Sequence, residues 1–515
     1  MSDRMLKMED ITAVNINWWI SFVYSLIPWT LLSLVPLLMF GRHSRWIYCP
    51  FVVLFVILES VEWFVVREFG MILDGDWVGI VLGSSRREML WFVRQYLGFK
   101  TFAVVIAVCV LIWLSLKVVL LSRHVRVNRI TIGFAIMFGF VFMYGNSMID
   151  KRVKVFEELK PVHLIADSVR NFKAYSVLAE LKNNPQIPVG VKVDENVDDI
   201  HCVFVLGESA TRSHWGLYGY GRDTTPNMSR RNKDLIVFND LITPTPGTSN
   251  AMRYLFTTRT IERNDDLRYT MSQVLRQVGF DVSLYSNQER WGETDGDETF
   301  IFAGCDPMVF MSEKGETNRY DEVLLRYLND ELGKDSLRQT VFLHLLGSHF
   351  PCNEKYPMAG VPFEPEKVKN YYAAYDPSIM QNHYDNSIWY TDQVLERIIQ
   401  DLESRKRPCC MIYLSDHGET PSAKGWRTAT DRDLWNVPFV VWVSPEFRMK
   451  YPDKVKCLED SKSRRLQSDQ LLYGILGLLG VSGLDSQPSE DFLNESFAPR
   501  GKCRILEGKE LYHWD

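Results

Sequence analysis

The chain has 515 residues, of which 46% are hydrophobic and 24% charged, so a disordered or collagen-like polypeptide is excluded. Its 58 basic and 64 acidic residues give a net charge of -6, which argues against a nucleic-acid-binding protein held by bulk electrostatics. The mean hydropathy of -0.12 is that of an ordinary soluble protein. This average is misleading, because the apolar residues are concentrated before residue 150.

Four apolar runs in the first 150 residues predict an N-terminal α-helical transmembrane domain. Each run approaches the ~20 residues that a helix needs to cross the hydrocarbon core. The runs are 17–40, 46–66, 101–121 and 130–149. Two short Arg-rich loops, 41–45 and 122–129, are placed in the cytoplasm by the positive-inside rule. The sequence therefore predicts four spans, with both ends of domain 1–150 outside the cytoplasm.

Three acidic residues in this region suggest that it does more than anchor the protein in the membrane. Glu59 and Glu62 lie three residues apart, hence on one face of the second predicted span. Acids inside a membrane usually mark a polar cavity or a partner, whereas an earlier end of the span would place both at the interface, and the two interpretations carry equal weight. The loop 67–100, which contains Glu88, has the composition of an interfacial amphipathic segment. We expect it to line a lipid entrance.

The remainder of the chain predicts an amphipathic linker, 151–200, and one large α/β domain, 201–515. Short apolar runs alternate there with helical patterns, which is typical of a mainly parallel sheet covered by helices on both faces. The predicted strands are 201–206, 235–238, 280–285, 340–345, 410–414 and 437–443. The predicted helices include 249–258, 269–278, 320–332, 384–403 and 469–479.

Polar residues follow three of the predicted strands. Glu208 follows the first, His349 comes shortly after the fourth, and Asp416 with His417 follows the fifth. Because ligands bind beyond the C-terminal ends of parallel strands, we expect these side chains to gather at one edge of the sheet. Two carboxylates and an imidazole form a mixed oxygen and nitrogen set that suits zinc, with manganese as the competitor.

Thr248 is the candidate nucleophile. It stands at the predicted start of a helix, where exposed N–H groups and the positive end of the helix dipole favour phosphate. A bound cation would further favour the alkoxide. Taken alone, Thr248 would be interpreted as a helix N-cap, and the metal-ligand set is what favours the catalytic role. Segment 207–211 almost matches the nucleophile elbow G-x-S-x-G, but its fifth residue is Thr.

Several longer motifs accompany these residues. They are 205–212, 217–220, 222–226, 247–249, 255–257, 347–349, 384–392 and 414–419. Together they resemble the membrane-anchored phosphoethanolamine transferases of the alkaline phosphatase and sulfatase superfamily. The resemblance implies an α-helical membrane domain in the bacterial inner membrane, followed by an alkaline phosphatase/sulfatase-like catalytic domain that faces the periplasm.

The resemblance also implies roles for individual residues. Glu208, Asp416 and His417 match the zinc ligands of that family, and Thr248 matches its phosphoryl-accepting threonine, with Thr245 as a less favoured nucleophile. Two more active-site residues are implied: His349, beside the transferred phosphate, and Glu419, an active-site acid. The candidate substrate-binding residues are Asn386, Asn436, Glu59, Glu62 and Glu88, the three glutamates being candidates for the ethanolamine ammonium group.

The chain also departs from the family's pattern. Many relatives carry a His where Asn436 stands, and Asn is a poor zinc ligand, so one zinc site is expected and a second is left open. The paired cysteines that flank the nucleophile in polymyxin-resistance enzymes are replaced by Pro246 and Tyr254. These differences, together with four predicted spans, suggest a branch distinct from the polymyxin-resistance enzymes that modify lipid A.

The expected reaction is transfer of phosphoethanolamine from phosphatidylethanolamine to an envelope acceptor through a covalent phosphothreonine. The implied acceptors are the lipopolysaccharide core, lipid A or a periplasmic glucan. Two alternatives from the same superfamily are a glycerophosphate transferase and a membrane-tethered phosphodiesterase. A third alternative, from another class, is a metal-stabilised assembly or envelope-sensing protein without turnover.

Overall fold

The computed structural model describes residues 180–263, 266–288, 297–314, 320–364, 377–419, 432–499, 503–507 and 510–514, with the single positions 53, 57, 61, 110 and 177. The chain divides into two compact units, 1–173 and 174–515. Among the described residues, no helix is both long enough and apolar enough to span a bilayer. Four earlier predictions lie outside the described residues: Glu59, Glu62, Glu88 and the interfacial loop 67–100.

An eight-stranded sheet forms the centre of the second unit. Its strand order is β5-β4-β6-β2-β7-β8-β3-β9, and within it β8 alone runs against the other seven strands. Two small antiparallel pairs, β1 with β10 and β11 with β12, lie outside this sheet. The strands are β1 (Lys192–Val193), β2 (Ile200–Gly207), β3 (Leu235–Ile242), β4 (Asp281–Ser286), β5 (Met308–Phe310), β6 (Arg338–His344), β7 (Cys409–Ser415), β8 (Asn436–Val443), β9 (Arg465–Gln467), β10 (Val481–Ser482), β11 (Cys503–Glu507) and β12 (Glu510–Trp514).

Helices cover both faces of the large sheet, as the sequence predicts. Met252 and Leu255 of α2 belong to the core on one face, while Leu328 of α5 and Leu395 of α6 belong to the core on the other. The helices are α1 (Pro226–Arg230), α2 (Thr248–Phe256), α3 (Met271–Gln277), α4 (Asp297–Ile301), α5 (Val323–Leu332), α6 (Pro377–Ser404), α7 (Pro445–Lys450), α8 (Pro452–Ser461) and α9 (Leu472–Leu478).

Strand β2 lies in the middle of this three-layer arrangement, and all eight of its residues are buried. Successive side chains point to opposite faces of a strand. Phe204 and Leu206 therefore join the core on the α2 side, and Val203 and Val205 join the core on the α6 side. Burial of each such aliphatic or aromatic side chain contributes about 1.5–3 kcal/mol. This explains why the sequence shows a continuous apolar run rather than an alternating one.

The register of the sheet brings several strand ends to the same level. Gly207 at the end of β2 pairs with Ser415 of β7, and Leu206 pairs with His344 of β6. Strand β8 is the antiparallel member of this mainly parallel sheet, since it runs against both β7 and β3. Its first residue, Asn436, therefore lies at this same edge, paired with Ile242 at the end of β3.

The turn after β6 packs directly on the turn after β2. Gly347 has a left-handed φ of 52°, and a Cβ atom there would lie 2.7 Å from the carbonyl oxygen and 2.8 Å from the amide nitrogen of Glu208. Ser348 also donates its backbone N–H to the Glu208 carbonyl oxygen at 2.9 Å. Backbone atoms cannot move aside cheaply, so this contact requires glycine at position 347.

We therefore expect Gly347→Ala to lower the free energy of unfolding strongly. Gly360→Ala is the matched control, because Gly360 also has a positive φ, of 77°, but no atom of the described residues lies within 4 Å of its Cβ position. The left-handed conformation alone should cost about 1–2 kcal/mol, and the close contact should add about 1–3 kcal/mol for Gly347→Ala. Urea unfolding of the full chain in detergent measures both, and equal losses would contradict the packing argument.

Candidate metal and nucleophile site

The turn after β2 carries the first residue of the site. Glu208 is almost completely buried, at 1% exposure. Its Oε1 atom accepts a hydrogen bond from the hydroxyl of Ser209 at 2.7 Å. The strand continues into this turn without a positive φ at Gly207, and Ser209 instead adopts the left-handed conformation, with φ 56°. The carboxylate is thus directed over the end of the sheet by its own neighbour in the sequence.

The turn after β7 supplies the second carboxylate. Asp416 Oδ1 accepts hydrogen bonds from the backbone N–H of Ser209 at 3.0 Å and of His417 at 2.7 Å. Its other oxygen, Oδ2, is buried and has no hydrogen-bond partner among the residues that the structure describes. A buried carboxylate oxygen without a donor is costly unless a cation compensates it. The arrangement therefore presents Asp416 Oδ2 as a metal ligand.

His417 presents one ring nitrogen to the same point. Its Nδ1 atom lies 2.8 Å from the carbonyl oxygen of Gly418, to which it can only donate. This fixes the tautomer of a neutral ring, because the proton on Nδ1 leaves the lone pair on Nε2. Nε2 lies 3.4 Å from Glu208 Oε1 and 3.4 Å from Asp416 Oδ2.

Within the described part of the chain, these three side chains form a compact group of potential metal ligands. One ligand atom from each of Glu208, Asp416 and His417 lies within 4.8 Å of the other two, and all three residues are buried. Two carboxylates this close repel each other in a low-dielectric interior, and a divalent cation would compensate both charges. Two oxygens and one imidazole nitrogen fit zinc with an open position.

Thr248 completes the cluster. Helix α2 begins at this residue, and its Oγ1 lies 3.2 Å from Glu208 Oε2 and 3.3 Å from His417 Nε2. Gly247 precedes the helix and provides no side-chain cap. The first-turn N–H groups of α2 are therefore left without a side-chain cap at the position where phosphate binds helix termini.

The other predicted site residues occupy different surroundings. His349 is half-buried in the turn after β6, and Glu419 is buried in the turn after β7. Asn436 begins β8 and accepts a hydrogen bond on its backbone oxygen from Thr211. Asn386 is fully buried, and its amide group bonds both backbone polar groups of Phe363. The proposed substrate roles of Asn436 and Asn386 stay predictions, and the Asn386 amide is already engaged within the fold.

A buried histidine that the sequence analysis did not single out lies beside Glu208. His344, the last residue of β6, directs Nδ1 to Glu298 Oε1 at 2.7 Å and places Nε2 4.0 Å from Glu208 Oε2. Burial alone would lower the pKa of His344, but the charge and the hydrogen bond of Glu298 raise its pKa overall. Its position at the end of a strand that leads into the site was the available signal.

Two further side chains support the turn after β2. The Tyr384 hydroxyl, from α6, lies 2.8 Å from both the Ser209 carbonyl oxygen and the Thr211 amide nitrogen. The Ser415 hydroxyl accepts the N–H of Ala210 at 2.9 Å. In the sequence analysis, Tyr384 and Ser415 belong to motifs but have no assigned role. Their contacts with a turn that is distant in the sequence leave no periodic pattern from which a role could be predicted.

Comparison with known proteins shows similarity to phosphoethanolamine transferases. Phosphoethanolamine transferase EptC of Escherichia coli K12 is 24% identical over 511 residues, which cover 90% of this chain and 85% of EptC. The integral membrane protein lipooligosaccharide phosphoethanolamine transferase A from Neisseria meningitidis matches with a TM-score of 0.68 at 19% identity, over 87% of each chain. These findings confirm the predicted resemblance.

A third comparison concerns the folded domain alone. The C-terminal periplasmic domain of E. coli EptC, solved in complex with zinc, matches with a TM-score of 0.56 at 23% identity and covers 64% of this chain and 96% of that domain. At this identity, the likeness establishes the fold. The profile of the sulfatase family matches residues 201–481, which is more than half of the sequence. The chain therefore belongs to the sulfatase family.

Proposed function

We propose that the chain transfers phosphoethanolamine from phosphatidylethanolamine to an envelope glycan or glycolipid. The observation that carries this proposal is the Thr248 hydroxyl at the start of α2, 3.2 Å from Glu208 and 3.3 Å from His417 of the buried ligand group. This is the arrangement that a metal-activated threonine nucleophile requires. The transferase names of the full-length relatives support the same reaction.

Glu208, Asp416, His417 and the Thr248 oxygen are the residues that would hold the metal. We assign zinc, because its donor preferences fit this set and the E. coli EptC domain was solved with zinc. Manganese is the alternative. When bound, the cation lowers the pKa of the threonine hydroxyl and offsets negative charge on the phosphoryl oxygens. Asn436 gives no reason to add a second zinc, since an amide is a poor ligand.

The first step is attack of Thr248 on the donor lipid. The Oγ1 atom gives up its proton to water and bonds to phosphorus, while the bond from phosphorus to the diacylglycerol oxygen breaks. The departing oxygen takes up a proton, for which His349 is the proposed donor. The N–H groups at the start of α2 stabilise the phosphoryl oxygens, because they point at the site where negative charge develops. A phosphoethanolamine-threonine and diacylglycerol result.

The second step resolves this intermediate. An acceptor hydroxyl gives up its proton and its oxygen bonds to phosphorus, while the bond from phosphorus to Thr248 breaks and the threonine regains a proton. His349 is the proposed proton carrier in both directions. Glu419, buried in the turn after β7, is the proposed supporting acid of the site. Transfer to a hydroxyl rather than to water gives the enzyme its transferase character.

The N-terminal region would deliver the lipid. We propose that residues 1–150 form a multi-pass domain of about four spans in the bacterial inner membrane, that 151–200 form the linker, and that 201–515 face the periplasm. The full-length N. meningitidis relative is described as an integral membrane protein. Its substrate, by name, is lipooligosaccharide, so we propose lipopolysaccharide core or lipid A as acceptors, with periplasmic glucan as a further possibility.

Thr248 should carry the covalent intermediate. Wild-type protein incubated with phosphatidylethanolamine and no acceptor should show a phosphoethanolamine adduct at Thr248 by intact-mass analysis and peptide mapping. Thr248→Ala should abolish it, because the attacking oxygen is removed. Thr245→Ala is the matched control, since Thr245 precedes α2 in the same loop and should keep the adduct. An adduct on the Thr248→Ala protein, or a glycerophosphate adduct on the wild type, would refute this assignment.

The ligand group should make stability depend on metal. A metal at a concentration of 100 times its Kd stabilises the folded state by about 2.7 kcal/mol, so chelation should lower the Tm by about 4 °C for a unit of this size. Asp416→Asn should nearly abolish this shift, because the metal no longer binds and one of two repelling charges is gone. Asp433→Asn, outside the ligand group, should keep it. Restoration of the Tm by manganese but not by zinc would make manganese the resident metal.

The membrane-domain acids should affect the donor lipid alone. Glu59→Gln, Glu62→Gln and Glu88→Gln combined should raise the KM for phosphatidylethanolamine at least tenfold, because all three candidate carboxylates for the ethanolamine ammonium group would be neutral. The zinc content of this triple variant should match that of the wild type, which shows that the catalytic domain is intact. An unchanged KM would end the proposal that these residues bind the headgroup.

A further inference from the structure

Ser209 is held in an unusual conformation beside the proposed metal site. It is fully buried and has a φ of 56°, in the left-handed region that costs a residue with a side chain about 1–2 kcal/mol. Such conformations persist only where the surroundings impose them, and they concentrate at functional sites. The proposed reaction gives Ser209 no chemical task, since its hydroxyl is buried and already bonded to Glu208.

The left-handed turn lets one residue reach both carboxylates. The Ser209 hydroxyl donates to Glu208 Oε1 at 2.7 Å, and the Ser209 backbone N–H donates to Asp416 Oδ1 at 3.0 Å. Asp416 is thereby held with Oδ2 toward His417 Nε2. Glu208 is held with both oxygens near Thr248 Oγ1, Oε1 at 3.4 Å and Oε2 at 3.2 Å. Side chain and backbone of the same residue thus orient both carboxylates toward the proposed metal.

Tyr384 holds this turn from the helix layer. Its hydroxyl donates to the Ser209 carbonyl oxygen at 2.8 Å and accepts the Thr211 N–H at 2.8 Å. Burial raises the pKa of Tyr384 well above its usual range, so the hydroxyl keeps the proton that it donates. The two bonds satisfy backbone groups on either side of Ala210, whose own N–H is bonded to Ser415.

We infer that Ser209 is a positioning residue that orients both metal-binding carboxylates, and that the Tyr384 hydroxyl holds Ser209 in the left-handed conformation which this task requires. The inference rests on the proposed function, since it takes Glu208 and Asp416 as ligands. It gives α6 a direct effect on metal geometry, although its tyrosine touches no ligand side chain in the contacts described. A purely structural tyrosine would instead affect stability alone.

The first test removes the tyrosine hydroxyl. Tyr384→Phe in the full chain should weaken Zn²⁺ binding 10- to 100-fold, the usual effect of residues that orient metal ligands. The matched control is Tyr413→Phe, because Tyr413 is equally buried but its hydroxyl has no hydrogen-bond partner in the described part of the chain. Competition with a chromophoric chelator measures the affinities. The absorption spectrum of the Co²⁺-loaded protein should change for Tyr384→Phe and not for Tyr413→Phe, since it reports ligand geometry.

The second test examines the conformation itself. Glycine adopts a left-handed φ without strain. In a Ser209→Gly background, Tyr384→Phe should therefore cost less than threefold in Zn²⁺ affinity, against 10- to 100-fold in the wild type. Ser209→Ala keeps the backbone N–H but loses the hydroxyl, and should weaken Zn²⁺ binding about tenfold. Coupling of this kind is the signature of two residues that act on one element.

Three outcomes would overturn the inference. They are wild-type Zn²⁺ affinity in Tyr384→Phe, an equal cost of Tyr384→Phe in both backgrounds, and wild-type affinity in Ser209→Ala. The last remains decisive if Tyr384→Phe fails to fold. Asp416→Asn is measured alongside: if it binds Zn²⁺ as the wild type does, the ligand assignment and the proposed function fail. If only Asp416→Asn loses Zn²⁺, the function stands and the positioning role is wrong.

Discussion

The structure of the catalytic unit depends on keeping two carboxylates side by side in a buried position. Glu208 and Asp416 are each about 1–2% exposed, and their ligand atoms lie within 4.8 Å of each other and of His417. Without compensation, this placement would cost several kcal/mol. The surrounding hydrogen bonds offset part of the cost, and a bound divalent cation would offset the rest. The buried carboxylates that the proposed reaction needs therefore lower the stability of the fold.

Most of the central architecture follows from the sequence. The buried run of β2, the start of α2 at Thr248 and the residues after β2 and β7 are all readable, because apolar strands and polar strand ends leave local patterns. The short strands β5 and β9 were missed, since three residues carry too little periodicity. The predicted sheet is mainly parallel, and the direction of β8 is not specified by the sequence, because an apolar run has the same pattern in either direction.

The arrangement around the ligands could not be read in the same way. Ser209 and Tyr384 are 175 positions apart, and their contact depends on how α6 packs over β2. His344 reads as one more buried strand residue until its distance to Glu208 is known. Asn386 is a motif residue with a predicted role toward substrate; its amide bonds the backbone of Phe363, and the substrate role stays a prediction. Sequence patterns locate the ligands, and packing decides what holds them.

The antiparallel direction of β8 affects how freely the connection before it can vary in length. A connection between two parallel strands must run from the C-terminal end of one strand back to the N-terminal end of the next. Its minimum length is therefore set by the helix that usually crosses the sheet. The connection from Ser415 at the end of β7 to Asn436 at the start of β8 leaves and re-enters the sheet at the catalytic edge. Because both ends of this connection lie at the same edge of the sheet, a change in its length does not require any other part of the sheet to move.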